Sequence, residues 1–353
     1  DPDDPEIIYA GSGDVNISGN VYLGNGIYRS TDGGDTWLNL GLQETSTVGD
    51  IVINPVSKRI IAGTMGNAFL KNGDRGIYIS DDQGISWTQT LYIDDSTGIH
   101  DLAFHSDNPD VILAGAWTRH RTGKESSITG VNSKAFISID GGASWQMVDL
   151  PIPEEVGRTA VTFSETDPNL AFIMILGTNS RFHSLHRSID AGMTWELVDE
   201  RDGNTPSMMG GFGWFFGRIA YLQKPGTDYE QIYLCGVDLW TYNEEADAWD
   251  RQTPPWWEYS VHADKHAIVS DNDGNILLGT DGGIYRNYDL DVWEDIENIP
   301  NNMFYRVEYS PHDTENSYGG MQDNGTSAGN QSIINEWPRI FGGDGFQVRF
   351  HPD

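Results

Sequence analysis

Short apolar runs alternate with turn residues along the whole chain, at a spacing typical of antiparallel β-strands. One run ends near a proline, as in DIVINP (50–55), and a second follows it, as in IIAGT (60–64). The third is GIYIS (76–80), and the fourth begins at a tryptophan. Runs of four to eight residues that are separated by turn residues predict strands. The pattern therefore predicts repeats of four short strands each.

Four turns follow the pattern S-x-D-x-G-x-x-W, and we call them the S-x-D turns. Their sequences are STDGGDTW (30–37), SDDQGISW (80–87), SIDGGASW (138–145) and SIDAGMTW (188–195). An Asp in such a turn accepts hydrogen bonds from the nearby backbone, and the Gly adopts the positive φ that a tight hairpin requires. The Trp begins the next strand, and we expect its ring to be buried between neighbouring sheets. The residues predicted to have this structural role are Asp32, Asp81, Asp140, Asp190, Trp37, Trp87, Trp145 and Trp195.

Four-stranded repeats arranged around an axis are the blades of a β-propeller. After residue 200 the S-x-D turns disappear, but the strand pattern continues through LWTYN (239–243), ILLGTD (276–281) and SYGGMQDNG (317–325). The sequence therefore predicts an all-β fold. The predicted architecture is a single seven-bladed β-propeller of four-stranded antiparallel blades over residues 1–353.

Both ends of the chain lie within a repeat. We therefore expect the propeller to be a fragment of a longer, multi-domain secreted protein. Two interpretations of the last apolar run, Phe346–Phe350, stay open. It either pairs with Ile7–Ala10 to complete one composite blade, or it begins a further propeller of the same chain.

The charge of the chain restricts its partners. Its net charge is −32, from 53 acidic and 21 basic residues. Nucleic acids and anionic membrane surfaces are therefore poor partners, whereas cations, cationic surfaces and neutral glycans are compatible with this field. A single cysteine, Cys235, excludes a disulfide framework. No apolar run approaches the roughly 20 residues of a membrane helix, so we predict no membrane insertion.

Polar residues recur near the start of the first strand of each repeat, where they are expected to surround the mouth of the central channel. Two interpretations are open: a ligand site, or the polar lining of a water-filled channel. The aromatic segment SMMGGFGWFFGR (207–218) has the same two alternatives, since its rings could stack on a sugar or pack against the propeller. The predicted ligand-binding residues are Asp50, Asp101, Arg158, Trp214, Arg218, His266 and Arg306.

The run VHADKH (261–266) places His262, Asp264 and His266 at alternating positions, so on a strand they would share one face. Such a set resembles a metal-ligand arrangement. A hydrogen-bonded channel lining is the alternative. The turn SDNDGN (270–275) is similar to part of a calcium loop but lacks the downstream Glu. We therefore expect no cofactor, with calcium or another divalent cation as the alternative.

The S-x-D turns resemble the Asp-box (BNR) repeats of sialidases, sortilin-type receptors and xyloglucanase-type glycoside hydrolases. The phrases VHADKHAI, GGMQDNGT and GGDGFQVRFHPD resemble large secreted Asp-box proteins of bacteria. The xyloglucanase-type enzymes carry a catalytic Asp in a loop similar to GTDGGIYR (279–286), and this resemblance implies Asp281 for that role. Inverting hydrolysis requires a second carboxyl about 6.5–9.5 Å away. Asp323 and Asp344 are the candidates within the chain, and in those enzymes another propeller supplies it.

These observations favour a secreted or cell-surface propeller, extracellular and non-catalytic. We expect it to bind a glycan or an extracellular protein at the face where the channel opens. The alternative is a glycoside hydrolase with part of its active site on this propeller.

Overall fold

The computed structural model describes residues 1–18, 21–201, 208–289, 292–296, 303–330, 332–333 and 337–351. Almost all of the regular structure in these ranges is antiparallel β-sheet. The chain divides into two compact units, Asp1–Gln252 and Thr253–Asp353. The single propeller over residues 1–353 stays a prediction. No helix in the described ranges is long and apolar enough to cross a membrane.

The first unit contains five sheets of three or four strands among its described residues. Sheet 1 comprises β1 (Ile8–Gly11), β2 (Ile27–Ser30) and β3 (Leu38–Asn39). Sheet 2 comprises β4 (Val48–Ile53), β5 (Ile60–Thr64), β6 (Gly76–Ser80) and β7 (Thr88–Leu91). Sheet 3 begins with β8 (Thr97–Phe104) and β9 (Ile112–Thr118). After a two-stranded hairpin of β10 (His120–Arg121) and β11 (Ser126–Ser127), sheet 3 ends with β12 (Ala135–Ser138) and β13 (Gln146–Met147).

The remaining two sheets of the first unit have four strands each. Sheet 4 comprises β14 (Thr159–Phe163), β15 (Ala171–Leu176), β16 (Phe182–Ser188) and β17 (Glu196–Glu200). Sheet 5 comprises β18 (Arg218–Gln223), β19 (Glu230–Cys235), β20 (Leu239–Asn243) and β21 (Ala248–Arg251). The unit also has a 3-10 helix at Gln43–Thr45 and one short α-helix, α1 (Gly213–Phe216).

The second unit contains two four-stranded sheets in its described part. Sheet 6 comprises β22 (Lys265–Ser270), β23 (Ile276–Thr280), β24 (Gly283–Asp289) and β25 (Val292–Asp295). Sheet 7 comprises β26 (Phe304–Tyr309), β27 (Asn316–Met321), β28 (Gly325–Asn330) and β29 (Arg339–Phe341). A 3-10 helix at Trp256–Glu258 precedes sheet 6.

The strands of each sheet follow one another in chain order, so every sheet is an antiparallel meander, as expected for a propeller blade. Several predicted strands have the observed bounds, including GIYIS as β6 and LWTYN as β20. The last strand of sheet 7 differs. The fourth strand of a repeat is predicted to begin at a tryptophan, but in sheet 7 it begins at Arg339, two residues after Trp337. Residues 346–350 form no strand in the described structure.

The S-x-D turns share one set of hydrogen bonds. In the second turn, the backbone N–H of Ser86 donates to Oδ1 of Asp82 at 2.8 Å, and the Ser80 hydroxyl donates to the same oxygen at 2.8 Å. The Ser80 oxygen also accepts from the N–H of Gly84, whose φ is 88°. The Asp residues that accept these bonds in the four turns are Asp32, Asp82, Asp140 and Asp190.

The assignment of Asp81 to the second turn is therefore wrong. The third position of S-x-D is Asp82, and this residue is the one that lies within reach of the turn backbone. Asp81 points away from the turn and forms an exposed ion pair with Arg59, whose Nε lies 2.7 Å from its Oδ1.

The tryptophan of each S-x-D turn packs on the preceding sheet, where one is present in the unit. Trp145 packs against the cluster that contains Ile61 and Ile79 of sheet 2. Trp195 packs against the cluster that contains Leu113 of sheet 3, and Trp87 packs against residues of sheets 1 and 2. Trp37 belongs to sheet 1, the first sheet of its unit, and is 43% exposed. The expectation that all four rings are buried between sheets is therefore wrong for Trp37.

Candidate functional site

Four carboxylates from separate loops of the second unit lie together. Asp264 precedes β22, Asp281 lies between β23 and β24, Asp323 lies between β27 and β28, and Asp344 follows β29. The backbone N–H of Asp323 donates to Oδ1 of Asp344 at 2.8 Å. The Asn324 amide donates to the backbone oxygen of Asp281 at 2.9 Å. We call these four aspartates the acidic cluster. It brings together all three predicted catalytic residues, Asp281, Asp323 and Asp344.

Crowding and burial change how the acidic cluster binds protons. Burial, followed by the charges of Asp281 and Asp323, raises the pKa of Asp264 to about 6. Burial, Asp281 and Asp344 also raise the pKa of Asp323 above its ordinary value. Like charges that are close together disfavour ionisation, so Asp264 and Asp323 retain protons at a pH where isolated aspartates have lost them. Asp264 can exchange a proton with a ligand near pH 6.

Two histidines contact the acidic cluster. Nε2 of His266 lies 2.7 Å from Oδ1 of Asp281, so the ring and the carboxylate form a hydrogen-bonded pair. The ring nitrogens of His262 lie 3.0 Å from the Ala263 oxygen and 3.1 Å from the Asp323 oxygen. His262 therefore connects the loop before sheet 6 with a loop of sheet 7.

The structure does not arrange His262, Asp264 and His266 as a metal site. Among the described residues, no group of three or more His, Cys, Asp or Glu side chains is placed to hold a metal ion. The predicted alternation on one strand is wrong, because β22 begins at Lys265 and Asp264 has a φ of 60°. The three residues lie in a bend rather than on one face of an extended strand.

His266 is the extra residue of a β-bulge at the start of sheet 6. In the pairing of β22 with β23, Lys265 is opposite Thr280 and Ala267 is opposite Gly279, so His266 is the extra residue. Sheets 2, 3 and 7 have the same bulge, directly before Asp50, Asp101 and Arg306. A bulge redirects a side chain. Because His266 is the bulge residue itself, it lies one residue outside the series to which the sequence assigned it, and Ala267 occupies the equivalent position.

An exposed aromatic pair lies beside the acidic cluster. The rings of Tyr305 and Phe346 stack with centroids 5.4 Å apart and planes 2° apart. Tyr305 is 39% exposed and Phe346 is 62% exposed. Burial raises the pKa of Tyr305, and the charges of Asp344 and Asp323 add to this shift. Sequence reasoning missed this pair, since neither residue belongs to a repeated pattern. The predicted ligand residue Arg306 is exposed on β26, next to Tyr305.

The predicted ligand residues Asp50 and Asp101 connect sheets within the first unit. Oδ2 of Asp50 in sheet 2 accepts the backbone N–H of Leu102 in sheet 3 at 2.9 Å. In the same way, Oδ2 of Asp101 accepts the N–H of Val161 in sheet 4 at 2.8 Å. Burial raises the pKa of both groups, that of Asp50 to about 6. These carboxylates already serve the fold as cross-sheet acceptors.

Arg158 is also used internally. Its buried guanidinium donates to Nδ1 of His100 at 3.1 Å and to Oδ1 of Asn16 at 2.8 Å, and it also donates to the backbone oxygens of Trp214 and Phe215. Burial lowers its pKa to about 9. Arg218 forms an ion pair with Asp101 at 3.2 Å, and about a quarter of its side chain is exposed. Of these charged residues, Arg218 is the one that a ligand of the first unit could reach.

Most of the aromatic segment before sheet 5 packs against the first unit over its described residues, 208–218, although Phe212 is 56% exposed. Met208, Met209 and Phe216 are buried in the core between sheets 4 and 5. The ring of Trp214 is half-buried, and the guanidinium of Arg119 lies 5.5 Å from its centroid. These side chains therefore pack against the first unit, which is one of the two alternatives predicted for this segment.

No family model matches the chain. Two curated proteins named Vacuolar protein sorting/targeting protein 10 are similar to part of it. The protein from Fusarium vanettenii is 23% identical over 166 residues, 46% of this chain and 10% of that protein. The protein from Colletotrichum graminicola is 26% identical over 155 residues, 43% of this chain and 9% of that protein. The match therefore spans about a tenth of the length of these relatives.

Solved structures with the same fold include two GH74 enzymes. An ancestral GH74 enzyme aligns with a TM-score of 0.60 and 18% identity, over 96% of this chain and 45% of its own. The GH74 xyloglucanase from Xanthomonas campestris aligns with a TM-score of 0.50 and 13% identity, over 97% and 57%. An auxiliary nutrient binding protein from Bacteroides thetaiotaomicron aligns with a TM-score of 0.52 and 12% identity, over 84% of this chain and 68% of its own. At these identities the likeness supports a β-propeller fold and no particular activity.

Proposed function

We propose that the chain is a secreted or cell-surface, seven-bladed Asp-box β-propeller that binds a neutral glycan at the acidic cluster. One observation carries the proposal: the exposed Tyr305–Phe346 stack lies beside the carboxylates of Asp323 and Asp344. An aromatic face can cover the apolar face of a sugar ring while carboxylate oxygens accept hydrogen bonds from its hydroxyls. The two chemistries together match a sugar better than either does alone.

The charge of the protein defines the glycan further. With a net charge of −32, the chain repels sulfated or uronic-acid-rich polymers. A neutral polymer meets no such barrier. The names of similar proteins, which include a xyloglucanase, an auxiliary nutrient binding protein and a sorting protein, are compatible with recognition of external ligands. They also motivate the proposed extracellular location.

Titration calorimetry with neutral xylogluco- and cello-oligosaccharides tests the binding proposal. We expect Phe346→Ala to weaken binding at least about tenfold, because it removes half of the stack. Phe341→Ala is the matched control, since Phe341 is 71% exposed on the same sheet and makes no ring contact with Tyr305 in the described structure. The proposal is abandoned if the wild-type chain binds neither oligosaccharide class, or if both variants weaken binding equally.

Glycoside hydrolysis is the second candidate, and one observation favours it. Asp264, with a pKa of about 6, lies near Asp281, which is paired with His266. An inverting hydrolase requires one carboxyl as the acid and a second as the base, and a carboxyl with a raised pKa is suited to the acid role. The three carboxylates named from the sequence, Asp281, Asp323 and Asp344, belong to the same cluster.

Release of reducing ends from xyloglucan and mixed-linkage β-glucan separates the two candidates. The hydrolase candidate predicts product from the wild-type chain and a loss of at least about a hundredfold in Asp281→Asn and Asp264→Asn, with oligosaccharide binding retained. The binding candidate predicts no product from any of the three. Product that is unchanged in both variants would remove the acidic cluster from the reaction.

A further inference from the structure

The S-x-D turns close the space between neighbouring sheets in the first unit. The glycine of the third turn, Gly142, faces Ile61 and Ile79 of sheet 2. The glycine of the fourth turn, Gly192, likewise faces Leu113 and Ile137 of sheet 3. In each case the tryptophan of the turn packs on the same preceding sheet. A small residue and a large ring together fill the gap at this end of the sheets.

Sheet 5 has only part of this closure. The turn between β20 and β21 has the sequence Glu244, Glu245, Ala246 and Asp247, without a glycine. Its tryptophan, Trp249, is buried against sheet 4: the ring contacts Phe182 with centroids 5.2 Å apart, and the indole N–H donates to Asp199 at 2.7 Å. The glycine of the earlier turns therefore has no counterpart between sheets 4 and 5.

The facing positions of sheet 4 also differ. Where sheet 3 has the apolar pair Leu113 and Ile137, sheet 4 has Phe172 opposite Arg187. The Arg187 side chain extends outward and forms an ion pair with Glu244 at 2.8 Å. A cleft of about 530 Å³ opens at this place, and we call it the inter-sheet cleft.

The inter-sheet cleft has an aromatic wall and a charged rim. Phe172 and Tyr221 form the wall, stacked with centroids 4.7 Å apart. Tyr229 stands at the rim and is 53% exposed, with Lys224 Nζ 5.6 Å from its ring centroid. Three glutamates and one lysine complete the rim: Glu230, Glu244, Glu245 and Lys224. The volume falls within the range of ligand pockets.

The rim carries negative charge toward the cleft. Burial raises the pKa of Tyr221 to about 12, and the charges of Glu230 and Glu244 contribute to the shift. Two of the glutamates already have partners, since Glu230 accepts from the Glu165 N–H and the Thr166 hydroxyl and Glu244 pairs with Arg187. Glu245 is exposed, and it is the rim carboxylate best placed to meet a cation from outside.

We propose that the inter-sheet cleft docks an extended peptide segment in which a large apolar side chain is adjacent to Lys or Arg. The apolar side chain packs against the wall that Phe172 and Tyr221 form, and the basic side chain meets Glu245 and the ring of Tyr229. An aromatic face and a carboxylate together hold a cation better than either does alone. The net charge of −32 favours encounter with a basic partner. This docking is independent of glycan binding, which uses residues of the second unit.

Selection from a random heptapeptide display library on the immobilised full chain tests the proposal. We expect enriched peptides to share an aromatic or long aliphatic residue beside Lys or Arg. Binding of the enriched peptides, measured by fluorescence anisotropy, is expected to fall at least about tenfold in Tyr229→Ala and in Glu245→Lys. Both changes are at exposed positions, so the fold is expected to persist.

Tyr309→Ala provides the control, because Tyr309 is 58% exposed and lies in the second unit. Peptide binding is expected to be unchanged in this variant and in Phe346→Ala, which reports on the glycan site. The inference is overturned if selection enriches no such motif, or if the enriched peptides bind the cleft variants as tightly as the wild type. Enrichment of acidic peptides would overturn it equally.

Discussion

The same residue type serves opposite purposes in this chain, and its surroundings decide which. Asp32 and Asp82 accept hydrogen bonds from Thr36 and Ser86 of their turns, and these bonds lower the pKa of each carboxyl to about 2. Asp264 is surrounded by buried surface and like charge, which raise its pKa to about 6. The turn aspartates are permanently ionised structural acceptors, whereas Asp264 titrates in a range useful for ligand chemistry.

Replacing Asp264 changes how stability depends on pH. In the unfolded chain the carboxyl ionises near its ordinary value of 3.8, but in the folded protein it keeps its proton up to about pH 6. Folding therefore loses stability as the pH rises from about 4 to about 6 and loses no more above that range. In Asp264→Asn this loss is absent. The free energies of unfolding of the wild type and the variant differ through this effect by at most about 1.4 kcal/mol for each unit by which folding raises the pKa of Asp264.

Thermal unfolding midpoints of the wild type and Asp264→Asn, recorded from pH 4 to pH 8, check this expectation. The midpoint of Asp264→Asn is expected to rise relative to that of the wild type between pH 4 and 6, and the difference is expected to stay constant at higher pH. Asp273→Asn is the control, because Asp273 is exposed in a neighbouring turn and lies outside the acidic cluster. A gap that narrows with rising pH would contradict the raised pKa.

At the scale of elements, the first strands of sheets 2, 3 and 4 are connected by side chains as well as by packing. Asp50 binds the N–H of Leu102, and Asp101 binds the N–H of Val161. Asp101 also holds Arg218 of sheet 5. One buried carboxylate thus has contacts in two other sheets, and its removal leaves a backbone donor and a guanidinium without their acceptor.

Asp101→Ala is expected to lower the free energy of unfolding by about 3 kcal/mol, because a buried charge pair and a buried hydrogen bond lose one partner. Urea unfolding followed by tryptophan fluorescence measures the change. Asp107→Ala, at an exposed position in the loop after β8, is expected to have little effect. Equal stability of the two variants would show that the cross-sheet bonds contribute nothing.

Local features of the fold could be predicted from the sequence because they depend on neighbouring residues. The S-x-D turns and the bounds of β6 and β20 follow from turn chemistry and strand pattern within ten residues. The bulges at His266 and Tyr305 could not be predicted, since a bulge depends on the register of the partner strand. The hydrogen bonds of Asp50 and Asp101 could not be predicted for a related reason, because the backbone N–H that each carboxylate binds belongs to the next repeat.

At the scale of the whole molecule, the sequence named Asp281, Asp323 and Asp344 through a resemblance but not Tyr305 and Phe346. The stack depends on the approach of a loop after β29 to the start of β26, and no periodic pattern encodes that approach. Charge, in contrast, is fixed by composition. With 53 acidic and 21 basic residues, self-repulsion opposes the compact state throughout the chain.

Salt is therefore expected to stabilise the protein. Raising NaCl from 0.01 M to 1 M shortens the Debye length from about 30 Å to about 3 Å and screens this repulsion. We expect the thermal midpoint to rise with NaCl, and to rise equally in MgCl₂ at the same ionic strength when screening alone acts. An excess in MgCl₂ would instead indicate specific cation binding, and a midpoint that falls with NaCl would contradict the expectation.

The cross-sheet hydrogen bonds of Asp50 and Asp101 also determine which sheets of the first unit could be duplicated without loss of such a bond. A tandem copy of sheet 3 would bring both a carboxylate for the following sheet and a backbone donor for the preceding one, so each bond would be formed again. A copy of sheet 4 would not, because Ala160 stands where sheet 3 has Asp101. Duplication of sheet 3 would therefore preserve the series of cross-sheet hydrogen bonds, whereas duplication of sheet 4 would interrupt it.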